Sequence, residues 1–307
     1  MSEPVTHVLL IEDNPIDILL LRELLAKRKK TVYFVEAVNN LKSGISFLQK
    51  EKPDVILLDL YLPDSQGINT FDSLYAQMRD IPIIVSTALE DENAALLAVN
   101  NGAQDYLLKG TITSALLSRS IKYAIERKKA ENKITYLALY DTLTDLPNRR
   151  LFFDRLSQAF SRAHRYKTKV GMMFIDLNKF KAINDNYGHE MGDKVLQAVG
   201  SRLKDAIRET DTAARLGGDE FGIILQDIKQ ESDTKAIAAK IINIIKKDYK
   251  VKANTFNIGA SIGVSFYPTD GNDENDLLSR ADKAMYRVKK SGKNGYCFCS
   301  SEAVTYI

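Results

Sequence analysis

At 307 residues the chain exceeds what one ordinary hydrophobic core organises, so two domains are expected. Hydrophobic residues make up 45% and charged residues 27%, values unlike those of disordered or membrane-embedded chains. A net charge of +3 supplies no global field to recruit nucleic acid, so a basic site has to be local.

In chain order, the first apolar run, "VLLI" at residues 8–11, is followed at once by Glu12 and Asp13. It is too short for a secretory core or a spanning helix, and a cytoplasmic protein without a membrane segment is expected. From residue 8 to 110, short apolar runs ("VLLI", "VYFVEA", "DVILLDL", "IPIIVST", "DYLLK") alternate with amphipathic stretches. Strands buried on both faces of a parallel sheet read this way, with crossover helices between them. The expected fold is a doubly wound α/β unit, whose ligands bind beyond the carboxyl ends of its strands. Glu12, Asp13, Asp59, Thr87 and Lys109 each close or follow an apolar run, which places all five on that rim. Clustered carboxylates there suit a hard cation such as Mg²⁺, which offsets their repulsion and neutralises an incoming phosphoryl group. Asp59 then becomes a usable nucleophile, Lys109 can pair with a phosphoryl oxygen, and Thr87 can enter a hydrogen-bond arrangement that exists only after modification. One acid after a strand usually just caps a helix, but five positions in register favour the functional reading.

No Pro or Gly interrupts the chain between Ile112 and Tyr140, so one long helix is expected to run out of the first domain as a strut. Leu116, Tyr123, Ala130, Ile134 and Leu137 fall near heptad spacing, with Ser120 and Arg127 interrupting the seam, which suits a dimeric coiled coil. The basic run "RKKAENK" reads as a solvated face.

The second half begins near Asp141 with "DTLTDLPNRRLF", a turn and a helix start marked by Pro147 and Asn148. "VGMMFIDLNKF" reads as an apolar strand ending in Asp176, with the methionines as core filler; "NDNYGHEMGD" reads as a polar loop, and "DKVLQAVGSRLKDAIR" as a helix. A hairpin, "ARLGGDEFGIIL", follows. Asp176 and the hairpin acids Asp219 and Glu220 thus converge, and three bare carboxylates resist ionising together unless a divalent metal joins them. Gly217 and Gly218 let the turn reach positive φ and let phosphates approach the backbone. In isolation, Gly-Gly-Asp is also an ordinary hairpin turn. The two cysteines, Cys297 and Cys299, at i, i+2 read as reduced and inert thiols. His164 and His189 lack ligand spacing.

"LLIEDN", "LLDLYLPDSQG", "VSTA" and "GAQDYLLKG" resemble a response-regulator receiver domain over about the first 125 residues. The resemblance implies that Asp59 is the phospho-acceptor, that Glu12 and Asp13 hold Mg²⁺ beside it, and that Thr87 and Tyr106 report the switch. It also implies that Lys109 contacts the phosphoryl group. Gly110 stands where that family usually has proline, so a rigid and often cis bond is lost.

"DLPNR", "FIDLNKFKAINDNYGHEMGDKVL", "RLGGDEF" and "ADKAMYRVKKSGKNGY" resemble the GGDEF family of diguanylate cyclases over about residues 139 to 300. The resemblance implies an α+β fold similar to nucleotidyl cyclase domains and polymerase palms, and the conversion of two GTP into cyclic di-GMP and two pyrophosphates. It makes Asp176 and one or both of Asp219 and Glu220 the ligands of Mg²⁺, or of Mn²⁺, with the Leu177 carbonyl assisting. The general base stays open between Glu220 and bulk water. Asn184 and Asp193 match the guanine-reading pair, Gly217 and Gly218 the turn over the nucleotide, and Lys181, Lys289 and Lys293 the phosphate contacts. Lys293 is often arginine in the family, and its grip is correspondingly weaker. Arg208 and Asp211, in "RETD", have the R-x-x-D spacing of the family's product-inhibition site.

The resulting expectation is a receiver over residues 1–125, a linker helix over about 112–138 and a cyclase over 139–307. Two GTP sites must face each other, which calls for a homodimer, and a histidine kinase or phosphotransfer protein is the expected partner of Asp59. The rival readings are a catalytically silent cyclic di-GMP receptor and a phosphorelay scaffold. A nucleic-acid-binding output lacks a recognition-helix pattern, and no cyclic di-GMP phosphodiesterase segment is expected after the cyclase.

Overall fold

The computed structural model describes residues 5–28, 31–88, 91–301 and 303–307. Two compact units result, Met1–Thr135 and Tyr136–Ile307.

The first unit runs β1 (Val5–Ile11), α1 (Pro15–Ala26), β2 (Val32–Val38), α2 (Leu41–Leu48), β3 (Val55–Asp59), β4 (Tyr61–Leu62), β5 (Ser65–Gln66), α3 (Ile68–Tyr75), β6 (Ile83–Thr87), α4 (Glu92–Asn100), β7 (Asp105–Leu108) and α5 (Ser114–Leu139). The sheet order is β2-β1-β3-β6-β7, all parallel, with β4 and β5 forming a separate hairpin. Alternate strand residues bury opposite faces, as period-two geometry demands. Leu9, Ile56 and Ile83 pack with Phe71 and Leu74, whereas Val8, Leu57 and Ile84 pack with Leu21, Leu25, Leu117 and Ile121. Strands β3 and β6, and β1 from Val8 onward, are covered on both sides, which is why they read as continuous apolar runs, whereas edge strand β2 leaves Val32 and Phe34 exposed.

Helix α5 turns Leu117, Ser120, Ile121, Ala124 and Lys128 inward. Ser120, an interruption in the heptad reading, therefore belongs to the stripe facing its own unit. Farther along, Arg127 Nη1 donates to the Gln104 carbonyl at 3.0 Å, Gln104 Nε2 donates to the Glu131 carboxylate at 3.2 Å, and Asn132 Nδ2 donates to the Asp80 carbonyl at 3.4 Å. These bonds hold the helix to the first unit well past its fourth turn.

The second unit runs α6 (Arg149–Tyr166), β8 (Lys169–Asn178), α7 (Phe180–Tyr187), α8 (His189–Ala206), β9 (Thr212–Gly217), β10 (Glu220–Ile228), α9 (Glu231–Ile245), β11 (Tyr249–Val251), β12 (Asn254–Phe256), β13 (Gly259–Tyr267), α10 (Glu274–Lys290), β14 (Gly295–Phe298) and β15 (Val304–Tyr306). Its main sheet has the order β15-β14-β13-β8-β10-β9, antiparallel except between β13 and β14. Asn148 caps α6, its side chain accepting from Leu151 N at 3.1 Å. One face of the sheet packs Met173, Ile175 and Phe221 against α7, α8 and α9; the other packs Met172, Phe174 and Ile224 against α6 and α10. Both methionines are core, as their sequence context predicts.

The stretch at residues 184–193, expected to be a loop, is instead helical on both sides of a one-residue break at Gly188. Its polar residues are the solvent faces of two amphipathic helices whose other faces bury Phe180 and Ile183 in α7 and Val195 and Leu196 in α8. Polarity there marks exposure and not the absence of structure. Cys297 and Cys299 are free thiols. Burial raises the pKa of both, and that of Cys299 reaches about 12 with help from a hydrogen bond to Asp270, which keeps them protonated and unreactive.

Candidate functional site

In the first unit the ends of β1, β3, β6 and β7 bring the expected rim together. Ligand oxygens of Glu12, Asp13 and Asp59 lie within 4.8 Å of one another, a spacing that a single hard cation can draw together. Lys109, just past β7, reaches Asp59 Oδ2 at 2.6 Å, Glu12 Oε2 at 2.8 Å and Asp17 Oδ2 at 2.9 Å. Burial would lower the Lys109 pKa, but these carboxylates overcome it and leave the ammonium more firmly protonated than usual. Glu12 is fully buried, and desolvation pushes its carboxyl up to about 7 against the pull of Lys109. Thr87 is also fully buried, and its Oγ1 has no hydrogen-bond partner among the described residues. An orphaned hydroxyl at the rim fits an acceptor that arrives with a modification on Asp59. Tyr106 stands apart, its hydroxyl donating to Glu92 Oε1 at 2.9 Å on α4.

The β7–α5 loop resolves the missing proline. Gly110 has φ +86°, a value that a prolyl ring fixed near −65° does not reach, so the chain leaves Lys109 along a different path. Asp17 was invisible at the sequence level because it lies on α1, away from any strand end.

In the second unit Asp176 lies near the end of β8, directly opposite Glu220 in the β8–β10 register and opposite Ser261 on β13. Asp219 occupies the turn before β10, and its carbonyl accepts from Leu177 N at 3.2 Å, tying the hairpin tip to β8. Asp176 shares a sheet face with Phe174 and so points toward α10, where Lys289 Nζ meets its Oδ2 at 2.7 Å. The other oxygen, Oδ1, is buried without a partner among the described residues. Burial raises the Asp176 pKa; Lys289 opposes the shift, and Asp219 and Asp282 add to it. Glu220 is raised as well, by burial and then by Asp176, Asp219 and Asp282. The adjacent carboxylates and the orphaned buried oxygen offer donors to a divalent cation, but the ligand oxygens of Asp176, Asp219 and Glu220 are not gathered within 4.8 Å of one another as those of Glu12, Asp13 and Asp59 are.

Gly218 has φ +50° in the turn, where a Cβ is disfavoured, and its carbonyl is gripped by Arg215 through Nε at 3.0 Å and Nη2 at 2.8 Å. Arg215 Nη1 also reaches Asp141 Oδ1 at 3.1 Å. Burial would raise the Asp141 carboxyl, but Thr144 and Arg215 prevail and hold it below the usual range. This fork, which fixes the hairpin from behind, gave no signal in the sequence because its partners are 74 residues apart.

Beside the acids opens a cavity of 730 Å³ lined by Leu177, Lys181, Asp219, Lys289 and Lys293, among others. The expected phosphate-contacting lysines thus share one wall system with an acid. Asn184 and Asp193 do not line it; they lie on α7 and α8, where the Asn184 side-chain oxygen occupies the space that a Cβ on Gly192 would need. Arg208 and Asp211 line a separate cavity of 480 Å³ with Arg155 and Lys204. The Asp211 carboxylate already accepts from the backbone N–H of Arg208 at 3.2 Å and of Gln226 at 3.0 Å, so it braces the turn that presents Arg208.

A diguanylate cyclase GGDEF-domain model matches residues 138–295 and a response-regulator receiver-domain model matches residues 8–120. Over 195 residues the chain is 41% identical to MucR of Pseudomonas aeruginosa, a bifunctional diguanylate cyclase/cyclic di-GMP phosphodiesterase, covering 64% of this chain but only 28% of that protein. A fragment of TpbB (YfiN) from Pseudomonas aeruginosa comprising only the GGDEF domain is similar with a TM-score of 0.51 at 36% identity, covering 52% of this chain and 94% of that one. The coiled coil and GGDEF domain of DgcB from Caulobacter crescentus, solved with c-di-GMP, has a TM-score of 0.54 at 26% identity, covering 60% and 97%. No helix among the described residues is long and apolar enough to cross a membrane. With its parallel-sheet first unit and the acid-bearing hairpin of its second, the chain belongs to the GGDEF family of diguanylate cyclase domains and carries a response-regulator receiver domain ahead of it.

Proposed function

We propose that this chain is a cytoplasmic, phosphorylation-regulated diguanylate cyclase that joins two GTP into cyclic di-GMP as a homodimer. In each half-reaction a ribose 3′-oxygen loses its proton and forms a bond to the α-phosphorus of the other GTP. The α–β phosphoanhydride bond breaks and pyrophosphate leaves. The supporting observation is the placement of Asp176, with one orphaned oxygen, opposite Glu220 and beside a cavity bearing Lys181, Lys289 and Lys293. Asp176, Asp219 and Glu220, with the Leu177 carbonyl, would hold Mg²⁺ or Mn²⁺, which supplies charge stabilisation to the attacking and leaving oxygens. The lysines then carry the polyphosphate, Asn184 and Asp193 read guanine, and Arg208 with Asp211 takes returning product as an inhibitor. In the receiver, Glu12, Asp13 and Asp59 form the cation site at which a histidine kinase or phosphotransfer protein delivers a phosphoryl group to Asp59. Thr87 and Lys109 receive that group's oxygens, and Tyr106 answers the change.

The test is incubation of the purified chain with GTP and Mg²⁺, followed by chromatography of the product, beside Asp176→Asn and Glu220→Gln. Turnover in each variant is expected to fall by about 100-fold or more. Equal product from all three proteins would refute the metal assignment, and tight GTP or cyclic di-GMP binding without turnover in the wild type would favour the silent receptor. An acyl-phosphate mimic on Asp59 should raise both self-association and turnover; if neither moves, the receiver does not control the cyclase.

A further inference from the structure

After α10 the chain forms β14 and returns as β15, antiparallel to it, with Gly295 opposite Tyr306. Ile307 N donates to the Asn294 carbonyl at 3.1 Å and closes that ladder, while Asn294 Oδ1 accepts from Asn178 Nδ2 at 2.9 Å at the end of β8. Tyr306 is thereby fixed at the edge of the 730 Å³ cavity, which it lines together with Asp219, Lys289 and Lys293. The Lys293 ammonium lies over its ring, 5.0 Å from the centroid.

The two lysines from the α10 end of the site are held by different means. Lys289 is bonded to the Asp176 carboxylate, which cancels part of its charge. No carboxylate among the described residues pairs with Lys293; an aromatic face holds it instead. That difference matters for a polyanion. A lysine on a four-carbon stem loses rotamer freedom when it grips a phosphate, and a partner that orders it beforehand removes part of that cost. A carboxylate would order it but repel the triphosphate. A neutral ring attracts the ammonium through its quadrupole and leaves the full positive charge facing the cavity.

We infer, on the basis of the cyclase reading above, that Tyr306 is a positioning residue of the nucleotide site whose ring pre-orders Lys293 for the polyphosphate of GTP. The ring does this work, because the Tyr306 hydroxyl makes no hydrogen bond to the described residues.

The experiment is calorimetric titration of the full chain with a nonhydrolysable GTP analogue and Mg²⁺, for wild type, Tyr306→Ala, Tyr306→Phe, Lys293→Ala and the Tyr306→Ala, Lys293→Ala double variant. Tyr306→Ala is expected to weaken binding by about two- to five-fold, the range set by a partly exposed cation–ring contact. Tyr306→Phe should match the wild type, and the double variant should bind no more weakly than Lys293→Ala alone. In turnover assays Tyr306→Ala should raise KM for GTP and leave kcat at saturation unchanged. Wild-type affinity in Tyr306→Ala, a loss in Tyr306→Phe equal to that in Tyr306→Ala, or full additivity with Lys293→Ala would each overturn the inference while leaving the cyclase reading intact. A wild-type chain that binds no analogue would overturn both.

Discussion

At the scale of single residues, burial keeps Glu12 and Asp176 reluctant to ionise, and each is faced by a lysine, Lys109 and Lys289 respectively. Glu12 gives the clearest consequence. Its folded pKa of about 7 stands above the ordinary 4.5, so the folded chain retains a proton that the unfolded chain has lost. Stability from this group is therefore greatest below 4.5 and declines as pH rises toward 7. Glu12→Gln is neutral throughout and escapes that decline. In magnesium-free buffer its thermal midpoint should exceed that of the wild type at about pH 8 and converge with it near about pH 5. Added Mg²⁺ should raise the midpoint of the wild type more than that of the variant. Glu12, Asp13 and Asp59 were legible in the sequence because strand ends in a parallel sheet share one edge. Asp17 was not, because a helical residue one turn past its cap carries no such mark, and neither was Asp282, whose charge reaches Asp176 and Glu220 from an exposed position on α10.

At the scale of elements, the hairpin and the β7–α5 loop are the two places where local geometry governs the chemistry. Arg215 clasps the Gly218 carbonyl with two N–H groups and Asp141 with a third, a fork that lysine cannot reproduce. Arg215→Lys should therefore lower cyclase turnover by about 10- to 100-fold through misplacement of the tip acids, with affinity for the nonhydrolysable analogue little changed. Gly110→Pro restores the residue common among receivers but demands a negative φ where the loop has +86°. It should destabilise the first unit by about 1–3 kcal/mol, measured by urea unfolding. The main strands of the first unit, and β8 and the β9–β10 hairpin of the second, could be read from their apolar runs, since burial writes itself into sequence directly, whereas β13, though buried, was not picked out. Helix α7 and the first turn of α8 could not be read either, because their exposed faces carry Asn, Asp and Gly, the residues that elsewhere signal a turn; the rest of α8 reads as a helix.

At the scale of the whole molecule, α5 leaves part of its heptad seam open. Tyr123 is 58%, Ile134 67% and Leu137 50% exposed, a spacing that suits a second copy of the helix. Ile134→Glu with Leu137→Glu should weaken self-association by at least about ten-fold in sedimentation and reduce turnover in parallel, while nucleotide binding per chain persists. Tyr123 stands outside that pair and permits a separate check. The heptad itself was readable in sequence. What could not be read was how far the helix stays attached to its own receiver, through Arg127, Glu131 and Asn132, because their partners Gln104 and Asp80 are distant in sequence and Arg127 and Asn132 bond to backbone carbonyls that no side-chain pattern announces. The ammonium groups of Lys109 and Lys289 bear on the integrity of the entire chain. Each acidic nest brings its own organic counter-charge, so keeping the fold intact does not depend on a supply of mineral ions. Chelation should consequently silence synthesis while leaving the circular dichroism spectrum untouched, and refilling the buffer should restore output without any refolding delay.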